Sequence, residues 1–141
     1  MSDSQSKISA GEFKQRLAVL CLKKGGGGLP SKRRDQQILF KSIALTLDIT
    51  RNYTEAELND RLQDWLARVG RHVQIDHVSL RRHLVDEGYV VRDPAGRSYR
   101  LVDSAKTDRF DPEIESIDPH LVIDEAIRRR EERKRQYLGD K

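Results

Sequence analysis

The stretch DHVSLRRHLVDEGYVVRDPAGRSYRL, residues 76–101, changes its hydrophobic period in mid-course, and that change constrains the fold more than any other feature of the chain. Its first half sets Leu80, Leu84 and Val85 at helical spacing behind Asp76. That residue is suited to accept from the backbone of a first helical turn, with Ile75 and Leu80 as the flanking apolar staple. Gly88 falls where a helix ends in the left-handed region. Beyond it YVVR and RSYRL are β-branched or aromatic runs joined by DPAG, whose proline and glycine suit a type I turn. The pattern predicts a helix over 77–87 that runs directly into a hairpin over 89–101.

The same capping logic marks other helix starts. Ser9 has Glu12 three residues on, with Ile8 and Phe13 as its staple; Thr54 has Glu57, with Tyr53 and Leu58; Asp118 precedes Pro119, with Ile117 and Val122. These predict helices over about 10–23, 55–69 and 119–138. The first carries Phe13, Leu17, Leu20 and Cys21 on one face, and the second carries Leu58, Leu62, Trp65, Leu66 and Val69. Ser31 is placed to cap a further helix through about Leu47, with Phe40, Ile43, Ala44 and Leu47 in register. Gly25-Gly26-Gly27-Gly28 breaks the chain before it and reads as a linker, because the Lys-Ser/Thr and the preceding strand of a phosphate-cradling loop are missing. The aperiodic DSAKTDRFDPEIESID after Val102 reads as a second linker.

With 141 residues, 36% of them hydrophobic and 35% charged, the chain has material for one modest core plus solvated extensions. Three regions follow: an N-terminal helical arm and glycine linker over 1–28, a central domain over 29–102, and a linker with a helical tail over 103–141. The fold class is mainly α with a small β-hairpin (α+β). Its element order is that of a winged helix-turn-helix carrying extra N- and C-terminal helices. The single cysteine, Cys21, falls in an apolar pattern and reads as core. With no membrane-length apolar run and no signal-peptide pattern, the expectation is a soluble protein of a reducing compartment such as the bacterial cytoplasm.

A net charge of +4 permits a polyanionic partner, and the basic residues are unevenly spread. Lys32, Arg33 and Arg34 crowd the start of a helix, against the macrodipole preference, and are either a solvated face or an anion-binding cluster. On the 77–87 helix the angles put Ser79, Arg82, His83 and Asp86 opposite an apolar arc centred on His77 that also holds Val78. In a DNA reader that outward side enters the major groove, with Arg82 and His83 near bases; in a bland reading it is a solvent face. Arg81 lies inside the apolar arc and calls for a carboxylate such as Asp60, Asp64, Asp76 or Glu87. The hairpin residues Arg92, Arg97 and Arg100 sit where a wing meets the phosphate backbone, or else protect strand edges.

The segments LPSKRRDQQILFKSIA, RNYTEAELNDRLQ, DHVSLRRHLVDEGYVVR and GRSYRL resemble a small bacterial domain family of unassigned function, found alone or joined to arsenic-repressor-type helix-turn-helix regulators. The resemblance covers roughly residues 27–102. It implies a winged-helix-like domain and a role in transcription, with no catalytic residues to carry over.

No enzyme is expected, since the histidines form no HExxH pattern and no nucleophile sits in an elbow sequence. No cofactor and no metal site are expected either, because His72, His77 and His83 are spaced off any single helical face. The expected function is a DNA-binding transcriptional regulator or accessory protein with double-stranded DNA as partner. The rival is a protein-interaction module whose terminal helices dimerise or dock a partner.

Overall fold

The computed structural model describes residues 6–24, 27–95, 97–102 and 109–139. In chain order the elements are α1 (Ala10–Leu22), α2 (Arg33–Ala44), β1 (Asn52–Thr54), α3 (Glu55–Arg68), α4 (His77–Asp86), β2 (Val90–Arg92), β3 (Ser98–Leu101), a 3-10 helix (Pro112–Ser116) and α5 (Pro119–Gly139). The chain is therefore mainly helical with a small antiparallel sheet, as the hydrophobic pattern requires.

Local chemistry accounts for most helix starts. The Ser9 hydroxyl accepts from the Glu12 amide at 3.1 Å, and Asp76 accepts from the Ser79 amide at 2.7 Å. Thr54 and Glu57 form a reciprocal capping box. The Asp118 carboxylate accepts from the His120 amide at 2.9 Å. At the C-terminus of α4, Gly88 takes φ +81°, the conformation that glycine adopts without steric cost.

Helix α2 departs from expectation at its start. Ser31 does not cap it: the helix begins at Arg33 with Lys32 at the cap position and no side-chain cap bond. The Gln36 amide group instead donates to the Pro30 carbonyl at 2.8 Å, which holds the entering chain one turn back from the helix. The helix closes at Ala44, where the Thr46 hydroxyl donates to the Ile43 carbonyl at 2.7 Å, yet Leu47 stays in the core.

Helix α2 is the axis of the core. Every residue from Gln37 to Ala44 is buried, as is Asp35, so its polar groups must find partners inside the molecule. Partners come from four directions. Arg16 of α1 reaches Asp35 with two bonds of 3.2 and 3.0 Å. Trp65 of α3 donates its indole N–H to Ser42 at 2.9 Å, and Ser42 donates in turn to the Leu39 carbonyl at 2.7 Å. The Tyr89 hydroxyl donates to Gln37 at 2.5 Å, while Lys41 pairs with Glu115 of the 3-10 helix. Arg34 forks onto Glu12 of α1 at 2.6 and 2.8 Å and also donates to the backbone carbonyls of Ser6 and Lys7, tying down the N-terminal arm.

The hairpin gains a third strand. β1 pairs with β3, giving the antiparallel order β1-β3-β2. Tyr53 lies opposite Tyr99 and Tyr99 opposite Arg92, whereas Asn52, Arg100 and Val91 align on the other face. Asp93 donates its amide to Ser98 at 2.8 Å across the turn, and the turn's glycine lies outside the described residues.

The stretch read as a linker after Val102 is not one where it is described. Ile8 bridges Phe110 in parallel, both side chains are buried, and Ile114 is fully buried. Phe13 and Phe110 meet edge to face at 6.4 Å. Two apolar anchors, Phe110 and Ile114, in a charged, aperiodic stretch are enough to dock it. The glycines of the first linker, Gly25 and Gly26, fall outside the described residues, while the Gly27 carbonyl accepts from the Gln74 amide at 3.0 Å. Cys21 is fully buried, and burial pushes its thiol pKa up to about 12, as a core residue requires.

Two stability predictions follow from these contacts. A Cβ at Gly70 would stand 2.3 Å from the Trp65 ring, which is itself fixed by Ser42. Gly70→Ala should therefore lower the unfolding free energy by about 1–3 kcal/mol in urea titrations. The Arg34 hydrogen bonds hold the Glu12 carboxyl below its ordinary 4.5. A depressed carboxylate stabilises the fold fully above that value and ceases to do so as pH falls through the lowered one. The unfolding free energy of Glu12→Gln, measured from about pH 6 to 2, should thus fall less steeply with acid than that of the parent.

Candidate nucleic-acid interface

The inward side of α4 is set by Leu80 and Leu84, both fully buried. At 100° per residue their mean direction lies roughly 40° from His77, so the helix is rotated relative to the expected arc. The rotation carries Val78 outward, where it is 42% exposed, and brings His83 partly in. His83 stacks on the Phe40 ring at 5.7 Å and 22°, so its expected place on the outward face is corrected: it covers α2. A large ring on α2 gives imidazole a better contact than it gives a β-branched valine. Ser79 is half-buried and donates to Asp76 at 3.0 Å, which makes it part of the cap. Arg82 remains exposed on the outward side, with Asp86 one turn on.

Arg81 is paired, as its place in the apolar arc demands, but not with any of the four carboxylates expected. It donates to Asn59 at 2.5 Å and lies 3.7 Å from Glu55, both on α3. With Gln63 and His77 at 3.4 Å, the Asn59–Arg81 contact shows that α3 and α4 run in opposite directions where they meet. The loop of residues 69–76 between them is long enough to reverse the chain.

The cross-strand register brings Arg92 to α4. Because Arg92 is opposite Tyr99, its guanidinium lies 5.9 Å from that ring, while Arg81 lies 5.8 Å from it on the helix side. Cation–π attraction thus holds two arginines over one buried tyrosine. Between helix and hairpin runs a shallow groove of about 200 Å³ lined by Val78, Arg81, Arg82, Val85, Asp86, Arg92 and Tyr99. Sequence reasoning missed this juxtaposition, although the DPAG turn fixes the register that produces it.

The remaining expected residues do not all join the groove. Arg97 is exposed beside the turn, and Arg100 is exposed on the opposite face of the sheet, level with Val91 and Asn52. The expected cluster of Lys32, Arg33 and Arg34 is corrected, because two of its members are already paired. Arg33 makes a two-pronged ion pair with Glu87 at 2.8 and 2.5 Å, and Arg34 is committed to Glu12 and the N-terminal arm. Lys32 is exposed. These contacts anchor the N-terminal end of α2 and offset the unfavourable placement of basic residues at its dipole.

Among the described residues no group of three His, Cys, Asp or Glu side chains could hold a metal ion. No described helix is long and apolar enough to cross a membrane.

Comparison with known proteins gives one match. A family profile, DUF2087, described as an uncharacterised protein conserved in bacteria, covers residues 28–101. The match begins just before α2 and ends with β3, so it includes the sheet, α3, α4 and the groove but neither α1 nor α5. No curated protein and no solved structure matches the chain. The chain belongs to this bacterial family of uncharacterised proteins, with a helix added on either side of the shared domain.

Proposed function

We propose that the domain is a winged helix-turn-helix that binds double-stranded DNA as a transcriptional regulator or an accessory protein. The observation that carries the proposal is the groove between α4 and the hairpin, with exposed Arg82 on its helix wall and Arg92 on its strand wall. A helix followed at once by a two-stranded wing supports the reading, as does the resemblance to domains joined to helix-turn-helix regulators.

In this reading Arg82 approaches base edges, where a guanidinium can bond guanine bidentately, while Arg92, Arg97 and Lys32 contact phosphates. The opposite polarity of α3 and α4 sets the geometry of approach. Arg81 and Tyr99 act as positioning residues, the ring holding Arg92 and the helix–strand angle in place.

A module that docks proteins through its terminal helices fits less well. The apolar stripes of α1 and α5 are used within the chain: Phe13, Leu17 and Cys21 are buried, as are Val122 and Ile123, all in the same core cluster as α2. Beyond them α5 exposes Leu121, Tyr137 and Leu138, scattered among charged residues and not joined in a stripe.

The expected outcome in a fluorescence-anisotropy titration with a mixed-sequence duplex is binding that weakens as salt rises. Arg92→Ala and Arg97→Ala should each reduce the log–log salt slope by about 1. Arg34→Ala should leave the slope unaltered while lowering thermal stability. Absence of binding at low salt would remove the proposal.

A further inference from the structure

Helix α5 has two halves of different character. From Pro119 to about Ile127 it packs on the core through Val122, Ile123, Ala126 and Ile127. From Arg128 to Gly139 every residue is exposed, a projection of roughly 18 Å at 1.5 Å per residue. Residues 128–135 hold six basic and two acidic side chains, a net +4 that equals the charge of the whole protein.

The order of those residues sorts the charge by face. At 100° per residue Arg129, Arg130, Arg133 and Lys134 fall within an arc of roughly 140°, and Tyr137 lies on the same arc. Arg128, Glu131, Glu132 and Arg135 fall on the other side. There the i, i+4 spacings Arg128/Glu132 and Glu131/Arg135 place opposite charges one turn apart, so that side is balanced. On the cationic arc Arg129 has Glu125 at 3.8 Å, with both side chains largely exposed. Four like charges on adjacent turns repel one another, and a helix with no apolar stripe gains nothing from packing to offset that.

We propose that the Arg129/Arg130/Arg133/Lys134 face is a second nucleic-acid contact that grips phosphates without reading sequence. It goes beyond the groove reading and does not depend on it. Chemistry selects this occupant over the alternatives. A membrane surface needs an apolar face to bury, and this half of the helix exposes only Tyr137 and Leu138, at its far end and not along a face. A second copy of the helix would need an apolar seam for a coiled coil, and RRREERKRQ has none. A nucleic-acid backbone needs only cations in a row, because the favourable term is release of condensed counterions. Rows four residues apart rise roughly 6 Å, close to the spacing of successive phosphates, and Tyr137 adds a ring beside them.

The test uses the full chain, a labelled mixed-sequence DNA duplex and two double variants that remove equal charge from opposite faces. Arg130→Gln with Arg133→Gln should lower the salt slope by about 2, whereas Arg128→Gln with Arg135→Gln should lower it by less than about 1. All four residues are exposed on a segment outside the core, and circular dichroism checks that α5 persists. Equal effects of the two pairs, or an unchanged slope in the first, would overturn the proposal. So would a loss confined to anionic phosphatidylserine vesicles with duplex binding intact. An Arg82→Gln variant run in parallel separates the two sites: should it alter nothing while the Arg130/Arg133 pair does, the tail contact stands and the groove reading falls.

Discussion

The structure depends on a helix buried on nearly all sides that still carries polar side chains. Asp35, Gln37, Lys41 and Ser42 on α2 are each nine-tenths or more removed from solvent. Leaving any such group without a partner costs about 1–3 kcal/mol, and more when it is charged. The partners therefore specify the arrangement as much as the apolar packing does. Asp35 fixes α1 through Arg16, Ser42 fixes α3 through Trp65, Gln37 fixes the start of the hairpin through Tyr89, and Lys41 fixes the 3-10 helix through Glu115. Those links bring α1 and the 3-10 helix into one core with the family domain, and α5 joins it through the apolar Val122 and Ile123.

The same requirement decides which arginines are available. Arg33 and Arg34 cap the contacts of α2, so the densest basic run in the first half of the chain is mostly structural. Other exposed basic side chains lie on the outward side of α4, along the hairpin, and on the distal half of α5. A net charge of +4 gives no hint of this distribution, because it counts every arginine alike.

Features set by neighbours in sequence were legible before any coordinates. Ser9, Thr54, Asp76 and Asp118 each act on an amide two or three residues away, and the position of Gly88 follows from its own φ. The hairpin was legible for the same reason. What escaped was decided by distant partners. β1 is three residues long, with Tyr53 as its only buried member, and it exists because β3 lies beside it. The direction α4 faces was set by the Phe40 ring, which periodicity on α4 alone cannot locate. Phe110 and Ile114 were hidden inside a charged run that has no period. In the groove, Arg82 was read from its own helix, while Arg92 came to it only through a cross-strand register.

The proposed DNA binding turns on which surface of the domain duplex DNA would meet. Backbone amide shifts followed by NMR while duplex DNA is added would locate it directly. The account predicts that the amides of Val78, Arg82, Arg92 and Arg97 move and saturate together, with those around Arg129–Lys134 moving as well. Shifts centred on Glu12, Arg33 and Arg34, with the groove amides unmoved, would contradict it.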